Sequence, residues 1–140
     1  MKKLLAILLA LALVLSLCAC GKPAAPGEGG GTPVVNDGDV IGEGKNSFTL
    51  EIVDGDGKKI TATIRCDDTI VGDALQAYGI IDGEEAEYGL YIKSVNGITA
   101  DYDKDGTYWS FYVNGEYALA GVDMTELENG ATYTLAVETM

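Results

Sequence analysis

Six consecutive residues, Asp101-Tyr102-Asp103-Lys104-Asp105-Gly106, carry the D-x-D-x-D-G spacing that opens many calcium loops. Alternate carboxylates can converge on one hard cation, and the glycine permits a sharp turn. Asp101, Asp103 and Asp105 are the metal ligands this spacing offers. An EF-hand loop needs a bidentate Glu at its twelfth position, where this chain has Tyr112, so an EF-hand is excluded. A solvated acidic turn between strands is the competing reading. Ca²⁺ is the one cofactor the sequence suggests, and none is required.

The other acidic groups have simpler explanations. Asp54-Gly55-Asp56-Gly57 is a hairpin turn, and Asp67 and Asp68 precede a helix they could cap. Asp82, Glu84, Glu85 and Glu87 suit a solvated loop. The chain has no histidine to activate the thiol of Cys66. So small a domain rarely offers the deep cleft that carboxylate catalysis needs, so the chain is not expected to be an enzyme.

A second constellation is aromatic. Tyr108 to Val113 alternates, Asn114-Gly115 is the preferred type I′ turn pair, and Glu116 to Ala120 returns. Counting outward from Val113 opposite Glu116 sets Tyr112 opposite Tyr117, Phe111 opposite Ala118 and Trp109 opposite Ala120. Trp109 and Phe111 then face a core. Tyr108, Tyr112, Tyr117 and Leu119 form an outer patch suited to stacking on a ring, a glycan or a partner surface.

The hairpin needs a scaffold, and alternation supplies it. Phe48, Leu50 and Ile52 share one strand face, and Ile60 to Cys66 returns antiparallel after the turn. Val71, Ala74, Leu75 and Tyr78 fall at helical spacing, with Gly79 as the stop. Leu90 to Val95 forms a strand ending at Asn96-Gly97, and Ala131 to Glu138 a last strand with Tyr133, Leu135 and Val137 inward. This order predicts an α+β, β-grasp-like domain, mostly antiparallel, with one helix across the sheet.

The first residues suggest an address. Lys2 and Lys3 precede twelve apolar residues, Leu4 to Leu15, a run short of the ~20 that span a membrane. Leu17-Cys18-Ala19-Cys20-Gly21 then resembles the lipobox of bacterial lipoproteins. Cys20 has the branched residue three positions before it and the small residue just before it, so lipidation is expected at Cys20 after removal of residues 1–19. The expected location is the extracytoplasmic face of a membrane, in a Gram-positive type of bacterium, with the lipid as the membrane partner. Residues 20–46 hold all 3 prolines and 8 of the 19 glycines, a composition expected of a tether before a domain at 47–140. Val34, Val35, Val40 and Ile41 could add an edge strand.

Removal of Lys2 and Lys3 would leave 7 basic against 22 acidic residues, a net charge of 7 − 22 = −15. Nucleic acid and anionic head groups are therefore excluded as partners. Cys66 would be the only thiol, so no internal disulfide can form.

Tyr108-Trp109-Ser110-Phe111-Tyr112-Val113-Asn114-Gly115-Glu116, with Gly121-Val122 and Leu127-Glu128-Asn129-Gly130, resembles the transcobalamin-like C-terminal domain family. Thr69-Ile70-Val71-Gly72-Asp73-Ala74-Leu75 is also similar, although a leucine more often stands where this chain has Gly72. The resemblance implies a small β-grasp-type extracellular module and, from the animal carriers, a corrinoid-like ligand. Those carriers also use a large helical domain, and none is expected in this chain. Two functions follow: a binding module for an unidentified small ligand or surface protein, or a calcium-stabilised structural module.

Overall fold

The computed structural model describes residues 35–140. Cys20 and the expected signal peptide lie outside the described residues. The strands are β1 (Val40–Ile41), β2 (Asn46–Val53), β3 (Lys59–Cys66), β4 (Ile81–Ala86), β5 (Gly89–Val95), β6 (Ile98–Thr99), β7 (Thr107–Val113), β8 (Glu116–Tyr117) and β9 (Thr132–Thr139). Helix α1 spans Val71–Ala77, α2 spans Tyr102–Asp105, and a 3₁₀ turn covers Val122–Met124. The fold is α+β.

Six strands form one sheet in the order β1-β3-β2-β9-β7-β8, and β4-β5-β6 form a second. The β2–β3 and β7–β9 pairs are antiparallel, whereas β2 and β9 run parallel at the centre. Registers line up two inward rows, Ala62–Leu50–Tyr133–Val113 and Ile60–Ile52–Leu135–Phe111. Against them pack Val71, Ala74 and Leu75 from α1 and Ile92 and Val95 from β5, all buried. Period-two alternation on the strands and helical spacing on α1 deliver these residues to one core. Phe48 meets Tyr133 edge-on at 5.2 Å, and Phe111 stacks on it at 6.0 Å. The Tyr133 hydroxyl accepts from the Glu128 N–H at 2.9 Å and donates to the Glu126 carbonyl, fixing the loop before β9.

The described strands begin before residue 47. Val35 is 1 % exposed, and β1 adds in parallel to β3, the edge-strand outcome. Gly42 and Gly44 make this possible. Both have positive φ, and a Cβ at either would meet the backbone of β3 at 2.1–2.3 Å or the Tyr78 ring. The glycines here serve close approach rather than slack.

Two local expectations are corrected. Asp67 and Asp68 do not cap α1: its N-cap is Ile70, without a side-chain cap bond, and Asp67 instead accepts from the Lys45 N–H at 3.0 Å. Residues 82–86 are not a loop but belong to β4, whose carboxylates point to solvent while its backbone pairs with β5. Acidic residues disfavour strands only mildly, and hairpin pairing to a hydrophobic neighbour overrides that preference.

Candidate ligand-binding site

The structure splits the predicted aromatic patch. The hairpin register is as counted for Val113–Glu116 and Tyr112–Tyr117, and the Ala118 N–H still donates to the Phe111 carbonyl. Beyond that point the chain leaves the sheet. The expected pairing of Trp109 with Ala120 therefore does not form, and Leu119 stands fully exposed in the following loop.

Tyr108 and Tyr112 stay on the outer sheet face and are bound to one carboxylate. The Tyr108 hydroxyl donates to Glu138 Oε2 at 3.2 Å, and the Tyr112 hydroxyl donates to Glu138 Oε1. Burial, with the carboxylate second, raises the Tyr108 hydroxyl above its ordinary pKa; for Tyr112 the Glu138 hydrogen bond is the main cause. Between them Ser110 is buried and donates to the Ala136 carbonyl at 2.9 Å. Tyr112 in turn holds Tyr117 edge-on, ring centroids 5.5 Å apart at 89°. Glu138, Tyr112 and Tyr117 thus form a relay that fixes the orientation of an exposed ring.

Tyr117 and Leu119 turn to the rim of a different feature. A recess of about 330 Å³ opens between β5 and the β7–β8 arm. Tyr88, Tyr91, Tyr117 and Leu119 line it together with Trp109 and Phe111 from the core side. Tyr88 is 85 % exposed and Tyr117 61 %, so their rings are open to an incoming molecule. The volume lies at the small end of ligand pockets.

Two buried side-chain atoms have no hydrogen-bond partner among the described residues: Nε1 of Trp109, a residue of the recess lining, and Oδ1 of Asp123, which is not one. Trp109 is itself 8 % exposed. Asp123 follows the recess residues Gly121 and Val122, and a Cβ at Gly89 or Gly121 would stand 2.8 Å from its Oδ1. A native fold pairs nearly all its buried polar atoms, so these two are exceptions. Sequence periodicity assigned Trp109 to the core, and nothing in it showed that the indole N–H goes unpaired. Tyr88 and Tyr91 were missed because they belong to the β4–β5 hairpin, far away along the chain.

The expected calcium ligands are not gathered. Asp101 is the N-cap of α2, its Oδ1 accepting from the N–H groups of Asp103 and Lys104 at 3.0 and 3.3 Å. Helical geometry then points residues two apart to different sides. Among the described residues, no group of three or more His, Cys, Asp or Glu is placed to hold a metal ion. Cys66 is buried, and burial pushes its thiol upward, away from reactivity.

Residues 67–139, just over half of the chain, match the domain of unknown function DUF4430. The chain belongs to this family. A crystal structure of a candidate metal binding protein from Ruminococcus gnavus matches with a TM-score of 0.65 and 27 % identity, covering 69 % of this chain and 99 % of that one. Haptocorrin in complex with Cbi matches with a TM-score of 0.50 and 20 % identity, over 67 % of this chain and 25 % of haptocorrin. The second likeness is one of fold, and this chain spans about a quarter of haptocorrin's length. No curated protein matches this chain. The DUF4430 domain and the haptocorrin-like fold agree with the resemblance read from the 108–116 segment.

Proposed function

We propose that this DUF4430 domain is a non-catalytic binding module whose site is the recess between β5 and the β7–β8 arm. The observation that carries the reading is the recess itself, where the exposed rings of Tyr88 and Tyr117 stand with the core aromatics Trp109 and Phe111. A flat or ring-bearing molecule would stack on Tyr88 and Tyr117. Haptocorrin's complex with Cbi makes a corrinoid the first probe to try. The Cys20 lipobox supports display of the module from the outer face of a membrane. Among the described residues, no helix is long and apolar enough to cross one.

Nothing in this function is assigned to calcium, because the Asp101, Asp103 and Asp105 carboxylates do not fit a metal cage. The test follows Trp109, the chain's one tryptophan, by fluorescence during titration with corrinoids and neutral sugars. A saturable change that Tyr117→Ala weakens is the expected result. Silence with every compound would instead favour a structural or protein-interaction role.

A further inference from the structure

We infer that a second cavity, walled by Tyr91, Tyr102 and Tyr108, binds an organic ammonium ion methylated at nitrogen. This opening of about 390 Å³ is lined also by Asp103 and Met140. It shares Tyr91 with the recess and no other residue. Three elements supply the rings: Tyr91 stands on β5, Tyr102 opens α2 and Tyr108 lies on β7. Among the described residues these three rings make no ring-to-ring contact, so they surround a gap instead of filling it. The walls are accessible, with Tyr91 40 % exposed and Tyr102 48 %. Tyr108 is held in place by the hydrogen bond from its hydroxyl to Glu138.

Charge selects the ligand class. The face of a tyrosine ring is electron-rich and attracts a cation, and several rings around one space add their pull. Asp103, the one charged residue of the lining, is exposed and makes no ion pair among the described residues. Glu138 adds a second carboxylate behind Tyr108. The lysines nearby in the chain already have acidic partners: Lys93 lies 3.0 Å from Glu84, and Lys104 4.0 Å from Asp101. With no Lys or Arg in the lining and a formal net charge of −13 on the chain, an anion is repelled. A calcium ion takes about six to eight oxygen ligands, which one carboxylate does not provide. A primary ammonium carries N–H donors that this lining, with its single carboxylate, leaves mostly unmet. A trimethylated nitrogen has no such donor and presents its charge through methyl groups that pack against rings. The volume admits that group with part of the chain carrying it.

The experiment is a nitrogen-15 NMR titration of the chain from Gly21 onward, which retains all described residues, at an ionic strength held constant with sodium chloride. Choline and tetramethylammonium are the probes, and neohexanol, the uncharged carbon isostere of choline, is the control. Both cations should shift the amides of Tyr91, Tyr102 and Asp103 saturably at roughly millimolar concentration. Neohexanol should bind at least about fivefold more weakly than choline. Tyr102→Leu keeps an apolar side chain and removes one ring from a residue that lines this cavity alone. It should weaken choline at least about threefold and leave neohexanol unchanged. Phosphocholine, which adds an anion, should bind more weakly than choline; equal binding would place the ammonium on a phosphate ester rather than on a free cation. Equal affinity for choline and neohexanol overturns the inference, because the cavity is then merely apolar. The absence of a saturable shift with either cation overturns it as well.

Discussion

At the scale of single residues, the most consequential group outside the recess is Asn96. Its side chain accepts from the Val35 N–H and donates to the Val35 carbonyl, both at 2.8 Å, imitating a strand partner in a buried setting. It also holds φ +51°, a conformation that asparagine tolerates better than most residues. Asn96→Ala strands two buried backbone groups and should cost about 2–4 kcal/mol in urea unfolding. Limited proteolysis should then cut faster between Val35 and Val40 than in the parent. Asp101 gives a contrasting case. Asp101→Ala removes the α2 cap and should cost about 0.5–1 kcal/mol. The loss should be the same with and without millimolar calcium in thermal melts, whereas a calcium-dependent loss would revive the metal reading. The sequence could not show which of its aspartates and tyrosines were already engaged, because Glu138 lies 30 residues from Tyr108 and meets it only through the β7–β9 register.

At the scale of elements, the strands were legible wherever alternation was strong. β2, β3, β7 and β9 each present one apolar face with period two, and the Asn114-Gly115 turn fixed the hairpin start. The parallel placement of β9 beside β2 was not legible, since alternation specifies a face and not a neighbour. Nor was the departure of residues 118–121 from the sheet. That segment is held from the other side: the 3₁₀ turn packs against α1, and Val71 N–H donates to the Thr125 carbonyl at 3.0 Å. Gly72 is the contact point, where a Cβ would lie 2.9 Å from the backbone of Val122 and Asp123. Gly72→Ala should therefore cost about 1–3 kcal/mol by overpacking, measured by urea melts. Because the displaced backbone includes Val122, which lines the recess, the same substitution should also weaken ligand binding in a fluorescence titration. The family resemblance noted a leucine at this position; here the close approach of the 3₁₀ turn leaves room only for glycine.

For the whole molecule, acidity and buried hydroxyls set the pH response. Tyr108, Tyr112 and Tyr133 all have raised pKa values, Tyr108 and Tyr133 chiefly by burial and Tyr112 chiefly by Glu138. Above the ordinary tyrosine pKa of about 10, the unfolded chain loses these protons while the folded chain keeps them. The folded state then binds more protons, so stability is fully present below that pH and falls as pH rises through the folded values. Lys93, raised by its 3.0 Å pairing with Glu84, acts in the same direction. Urea melts between pH 8 and 11 should show a steady decline, and Tyr108→Phe with Tyr112→Phe should make it shallower. A decline of unchanged slope would mean the Glu138 pair does not matter to alkaline stability.

The central claim is that the recess between β5 and the β7–β8 arm binds a ring-bearing small molecule, and the indole N–H of Trp109 reports on it directly. With one tryptophan in the chain, that proton gives a single indole cross-peak in a nitrogen-15 correlation spectrum. Titration with corrinoid and pyranoside probes should move this peak saturably, together with the amides of Tyr117 to Val122. Shifts confined to Tyr108, Tyr112 and their sheet neighbours, with the indole peak unmoved, would contradict the account.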